Sequence, residues 1–376
     1  LLLGLVLALG ACGEPRSPGG FGRLDVRAGL PDRLVLEGSP HEMGWWHGHL
    51  LRDRILKLRK SGEERLCKRA FGWNAVQVDD STERVLALKQ HLELCVDQTL
   101  HRLSERVLQE LEGMAVATGL EPAELIRLDV ARDAWRMKGM DGALPGAAGV
   151  GLVEGGFEAR VLWGGEDAAW LAGNAVVIHR APVGERESVT LTWPGSMGAV
   201  ASATAGGRGY VACEVDMRDK RRLGFGGGRP FFVAAREALQ TIGSAEDLLA
   251  ASTATMGHLF VGFVARPGEQ PAVESMGGVG AFQGSPDPIV ALGDDPFLGL
   301  GPYEDAQNPD VKAVRESVVR PEGLSIEERW LRLREHAGRA DGADGPEVRI
   351  AWTPGRTTFS FRRSADADAR EIILRD

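Results

Sequence analysis

The chain has 376 residues, 43% of them hydrophobic and 26% charged, and a formal net charge of −9. That composition excludes a largely disordered chain, and the acidic balance argues against a nucleic-acid partner. Arginine far outnumbers lysine and glycine numbers 50, a usage that reads as coding bias rather than as phosphate-binding chemistry.

Residues 1–11 read as the apolar core of a signal peptide, because the run is shorter than the ~20 residues that cross a bilayer. Leu9-Gly10-Ala11-Cys12 resembles a bacterial lipobox. That resemblance implies lipidation at Cys12 and attachment of an exported chain to a membrane of the cell envelope. Residues 12–33, which begin rich in Gly, Pro and Ser, are expected to form a flexible tether. Export implies an oxidising compartment. Cys67, Cys95 and Cys213 then remain, an odd number. Cys67 and Cys95 lie on neighbouring predicted helices, where either a bridge or buried thiols would fit.

Residues 34–140 are expected to be a helical segment. The first helix is predicted from His47 to about Ala70. A longer one comes next, with Leu92, Val96, Leu100, Leu103, Val107, Leu111 and Met114 on one stripe. Gly119 is its expected stop, and Pro122 opens a third helix that reaches about Trp135. Residues 141–376 are expected to be mixed. Strands are predicted at Val161–Trp163, Ala175–His179, Val189–Trp193, Tyr210–Val215, Leu259–Ala265, Ala272–Glu274, Val348–Trp352, Thr357–Phe361 and Glu371–Leu374. Helices are predicted at Pro230–Ile242, from Ser244, and at Ser325–His336. The fold class implied is α+β, with strands gathered and helices layered on them.

The segment from Glu37 to Leu51, EGSPHEMGWWHGHLL, resembles the entry motif of the acyl-coenzyme A:6-aminopenicillanic acid acyltransferase family, the C45 amidohydrolases. Trp193-Pro194-Gly195 with Gly198, then Ala205-Gly206-Gly207, Gly228-Arg229-Pro230, Arg236-Glu237-Ala238-Leu239 and Val273-Glu274 keep the family's order. The resemblance covers residues 34–300. It implies an N-terminal-nucleophile fold, a four-layer αββα sandwich preceded by the helical segment. It also implies self-cleavage before a Cys, whose thiol then attacks amides with its own α-amino group as base. No cofactor is implied.

The chain departs from that pattern where chemistry is needed. The nucleophile is expected at Ala147, Ala148, Gly149 or Val150, and no Cys, Ser or Thr occurs between Thr118 and Ser188. Alanine and glycine have no group that can attack a carbonyl. The family's Gly-Arg-Asn-x-Asp falls on Gly164-Gly165-Glu166-Asp167-Ala168, its oxyanion Asn on Thr204, and its later Asn-His pair near Gly293-Asp294. The expectation is a non-catalytic relative that binds an acyl or amide ligand in a pocket near Gly165, Glu166, Ala168, Trp193 and Thr204. The alternative is a working amide hydrolase or acyltransferase with a relocated nucleophile.

Other candidate chemistry is weaker. His41, Glu42, His47 and His49 invite a metal, but residues two apart on a helix diverge, so packing is the expected role. Ser196 sits in Pro194-Gly195-Ser196-Met197-Gly198, which lacks the first glycine of a nucleophile elbow. Cys213 lies in a predicted strand with no readable activating cation. Gly224–Gly228 reads as a plain loop without a Walker lysine. Trp45 and Trp46 are expected to pack at the helix entry.

Overall fold

The computed structural model describes residues 19–71, 83–136, 146–153, 156–163, 165–214, 230–241, 258–264, 272–276, 279–283, 289–292, parts of 324–332, 345–364 and 366–375. Cys12, Gly164, Gly224–Gly228, the helix predicted from Ser244 and Gly293-Asp294 lie outside them.

The chain opens with two strands, β1 (Phe21–Asp25) and β2 (Asp32–Gly38). The expected tether over 12–33 is therefore cut short. Gly22 and Leu24 face the helices, while β1 gains its ladder only by pairing antiparallel with β2. Helix α1 (Pro40–Phe71) starts seven residues earlier than His47. Its entry is a capping box: Ser39 N donates to Glu42 Oε2 at 2.8 Å, and Glu42 N donates to Ser39 Oγ at 3.4 Å. Pro40 takes the first helical position, where its missing N–H costs nothing. The long second helix predicted from the stripe is two helices, α2 (Glu83–Leu100) and α3 (Glu105–Thr118). Ser104 caps α3, accepting from Val107 N, and breaks the run while the stripe keeps its spacing. Gly119 closes α3 in the left-handed region, and α4 (Pro122–Arg136) comes next as predicted.

The mixed region begins with β3 (Gly146–Val153), which its Gly/Ala-rich composition hid, and β4 (Gly156–Trp163). Then come α5 (Gly165–Asn174), β5 (Val176–Pro182), β6 (Ser188–Thr192), β7 (Ala201–Thr204) and β8 (Arg208–Glu214). Helix α6 (Phe231–Thr241) precedes β9 (His258–Val264), β10 (Ala272–Met276), β11 (Val279–Gln283) and β12 (Ile289–Leu292). The chain closes with β13 (Glu347–Thr353), β14 (Arg356–Arg362) and β15 (Arg370–Arg375).

These strands form two sheets. The larger has nine strands in the order β1-β2-β5-β6-β7-β8-β9-β10-β11, and the smaller has six in the order β12-β3-β4-β13-β14-β15. The β2–β5 pair is parallel, with Leu34 opposite Ile178. The sheets pack face to face over an apolar layer that includes Val177, Leu191, Val161, Ile350 and Phe359. Phe157 stacks on Phe263 across it at 5.9 Å. On the other face of the large sheet, Leu34, Leu36, Val176 and Ile178 pack on α1, α3 and α4 through Ile55, Leu111, Met114 and Ile126. Among the described residues this gives three layers: helices, large sheet, small sheet. Over the outer face of the small sheet lie Glu327, paired with Arg160, and Trp330, whose ring is 5.6 Å from the Arg160 guanidinium. The mixed content is that of an α+β fold. The full four-layer sandwich goes beyond these three layers.

Candidate functional site

Strand β3 pairs with β4 in register, Gly146 opposite Trp163 and Val153 opposite Gly156. The expected nucleophile window thus falls at the start of a real strand. Ala148 is buried and faces the large sheet; the side chains of Ala147 and Val150 lie outside the described residues.

Two contacts between the sheets fix which ends meet. Trp163 Nε1 donates to Ala212 O at 3.0 Å. Ala212 N in turn donates to Val200 O, and Val200 N donates to Leu191 O. So the start of β3 lies at the Leu191–Trp193 end of β6. At the far end, Thr357 Oγ1 donates to Thr204 O at 3.2 Å. Thr357 is opposite Trp352, Trp352 is opposite Phe157, and Phe157 is opposite Leu152 near the end of β3.

The predicted pocket residues therefore separate. Trp193 is buried, its ring 6.4 Å from that of Trp170 on α5, and Ala168 is buried in the same core. Gly165 and Glu166 open α5 just after Trp163, with side chains outside the described residues. These four share the end where β3 begins. Thr204 does not: it pairs with Ser188 at the opposite end of β6. A carbonyl at Ala147 would lie most of a strand's length, roughly 20 Å, from Thr204. Thr204, the position that lines up with the family's oxyanion Asn, is thus distant from the expected nucleophile window.

Buried polar groups gather instead on the helix-facing side of the large sheet. The turn between β6 and β7 is held by two helices. Gly195, at φ 83, turns its N–H to Nε2 of His47 at 3.2 Å. Asp129 of α4 accepts from Ser196 Oγ at 2.5 Å and from Met197 N at 2.8 Å. Ser196 Oγ itself accepts from Gly198 N at 3.1 Å. This serine is spoken for by a carboxylate in direct contact and is only 2% exposed, which is a loop brace and not a nucleophile poised over a cleft.

His47 is fully buried; loss of water, with the Arg180 charge adding to it, lowers its pKa to about 3. The ring is neutral, accepts at Nε2 and carries its proton at Nδ1. His49 stands on another face, exposed and stacked on Trp45 at 4.7 Å. The pair offers no common metal position.

Beside His47, Glu110 of α3 is 1% exposed and binds two arginines. Arg180 donates through Nε at 3.1 Å and Nη2 at 2.9 Å, with Nη1 to Thr190 Oγ1 at 2.7 Å. Arg236 of α6 pairs with the other oxygen. Burial pushes the Glu110 carboxyl up, but the two guanidiniums outweigh it and hold it below the usual carboxylate range. Arg106 pairs with Glu185 nearby, and Glu237 Oε1 accepts from Ser104 N at 3.1 Å. Arg106, Arg180 and Arg236 are thus matched by Glu110, Glu185 and Glu237, and the network carries no excess charge. Sequence reasoning flagged Arg236-Glu237 but missed Glu110 and Arg180, which are 70 residues apart.

The entry motif is explained by the same interface. A Cβ at Gly44 would sit 1.8 Å from Glu110 O, so α1 and α3 cross with their backbones in contact. That closeness delivers His47 to the Gly195 turn.

No family model and no curated protein matches the sequence. Among solved structures, an N-acylethanolamine-hydrolyzing acid amidase ortholog from Caenorhabditis elegans is similar over 55% of this chain and 92% of that chain, with a TM-score of 0.40 and 7% sequence identity. A likeness at that level sets neither the chemistry nor the ligand of this chain.

Proposed function

We propose that this chain is a catalytically silent relative of the N-terminal-nucleophile amide hydrolases and acyltransferases, exported and lipid-anchored at Cys12, whose role is to bind an acyl or amide ligand. One observation carries this reading. The family-like residues of the entry motif do structural work here, and those the chain lacks are the ones that would do chemistry. Ser39 and Glu42 cap α1, Gly44 seats α1 on α3, and His47 holds Gly195. The strand expected to open with a nucleophile reads Gly-Ala-Ala-Gly-Val-Gly-Leu-Val. The ligand site we assign is the end where β3 starts, bordered by Trp163, the opening of α5 and Trp193.

The test is the intact mass of the mature protein under denaturing, reducing conditions. One unbroken chain is expected. Two fragments divided near residues 140–150 would show self-processing and restore the alternative of a working hydrolase or acyltransferase with a relocated nucleophile. Thermal-shift screening with fatty acids, N-acyl amino acids and β-lactams then probes the ligand, since a molecule bound only by the native state raises the melting temperature. No shift with any of these classes counts against binding. Palmitate labelling that Cys12→Ala abolishes is expected for the anchor; equal label in both chains would refute it.

A further inference from the structure

We propose that the free edge of β1, with the rim of α1 beside it, lies against a phospholipid bilayer. This rests on the lipid-anchor reading above and adds the surface by which the folded body meets the membrane.

Strand β1 ends the large sheet and pairs on one side only, with β2. The chain enters it at Gly19, whose carbonyl accepts from Trp46 Nε1 at 2.9 Å. A lipid on Cys12 is seven residues before Gly19, a reach of at most about 25 Å when fully extended. The β1 edge is therefore held close to the headgroups whatever path the tether takes.

The chemistry of that edge suits such a position. Phe21 is 44% exposed and Val183 is 80% exposed. They share one end of the sheet: Phe21 is opposite Glu37, and Val183 N donates to the O of the next residue, Gly38, at 3.2 Å. On the other side of β1, Trp46 lies over Gly22 and is half-buried, and its ring meets the exposed His49 edge-on at 5.9 Å. Aromatic rings with one polar atom favour the membrane interface. The exposed cations Arg23 and Arg27 lie along the same stretch. Asp25 between them is engaged by Arg370 from β15 and by Arg27. Glu37, opposite Phe21, is exposed as well, so the rim carries both signs, and the anchor with the exposed apolar side chains selects the face.

The experiment is hydrogen exchange on the lipidated full chain, in vesicles of phosphatidylethanolamine and phosphatidylglycerol and in detergent. Slower exchange on vesicles over residues 19–27 and 182–186, with none over 356–375, is expected. No protection at 19–27 in an anchored chain, or protection centred elsewhere, overturns the proposal. If palmitate labelling is absent, the anchor reading fails, and the same measurement on the chain held by a histidine tag to nickel-chelating lipid reads the face alone. Protection of β1 that grows with protein concentration without vesicles assigns the edge to a second copy and also overturns it. In the unlipidated Cys12→Ser chain, Phe21→Ser with Val183→Ser is expected to weaken retention on these vesicles about tenfold; unchanged retention contradicts the assignment.

Discussion

The two faces of the large sheet are built from opposite materials. Toward the small sheet it presents Val177, Val189, Leu191, Ala201, Ala203 and Phe263, an apolar layer. Toward the helices it presents Arg180, Thr190 and Ser202, met by Glu110, His47 and Arg236. Among the described residues, the Glu110 and Asp129 contacts lie behind the large sheet, where they attach the helical segment. The buried polar groups on that face join the helices to the sheet.

The contrast can be broken from the helix side most easily. Glu110→Gln removes the charge that Arg180 and Arg236 share, and two uncompensated buried guanidiniums should cost about 3–5 kcal/mol in urea unfolding. A loss under 1 kcal/mol would mean that the pairs form weakly in solution. Next comes pH. His47 has a folded pKa near 3 against an ordinary 6.5, so the unfolded chain takes up the proton first. Stability present above pH 6.5 is then lost as the pH falls through that window, by about 1.4 kcal/mol per unit once below 6.5. His47→Gln should flatten that slope, and an unchanged slope would assign the loss elsewhere. Asp129→Asn removes one of two acceptances from the β6–β7 turn and should cost about 2 kcal/mol. On the opposite face, Thr357→Val deletes a single hydroxyl bond to Thr204 O and should cost about 1 kcal/mol. If it cost more than Asp129→Asn, the proposed division between the two faces would be wrong.

Much of the framework was legible because its signals are local. Pro122 and Gly119 punctuate α4 and α3, and branched alternation marks β5, β13 and β14. Three elements were not. Ser104 splits a stripe whose spacing never falters, so periodicity alone sees one helix. Strand β3 is Gly and Ala, and its identity comes from eight partners on β4. Strand β1 read as tether and most of β2 fell in the segment expected to be helical, because what fixes β2, the ladder to β5, lies 144 residues ahead, as with Asp32 opposite Val176, and β1 pairs only with β2. At the proposed site, the lack of Cys, Ser or Thr between Thr118 and Ser188 was plain from the sequence. The separation of Trp193 from Thr204 was not, because it is a matter of strand register and motif order says nothing about register. The bracing of Gly195 by His47, 148 residues away, had no local signal at all.

The Glu110 pairs carry a consequence for biogenesis. Arg236 comes 126 residues after Glu110, so at 5–20 residues per second the ribosome needs roughly 6 to 25 s to supply the second cation. Until then α3 holds a carboxylate that it cannot bury. The helical segment is made first but must wait for the back half of the chain to complete its buried ion pairs, an interval in which a holdase finds its apolar stripe uncovered.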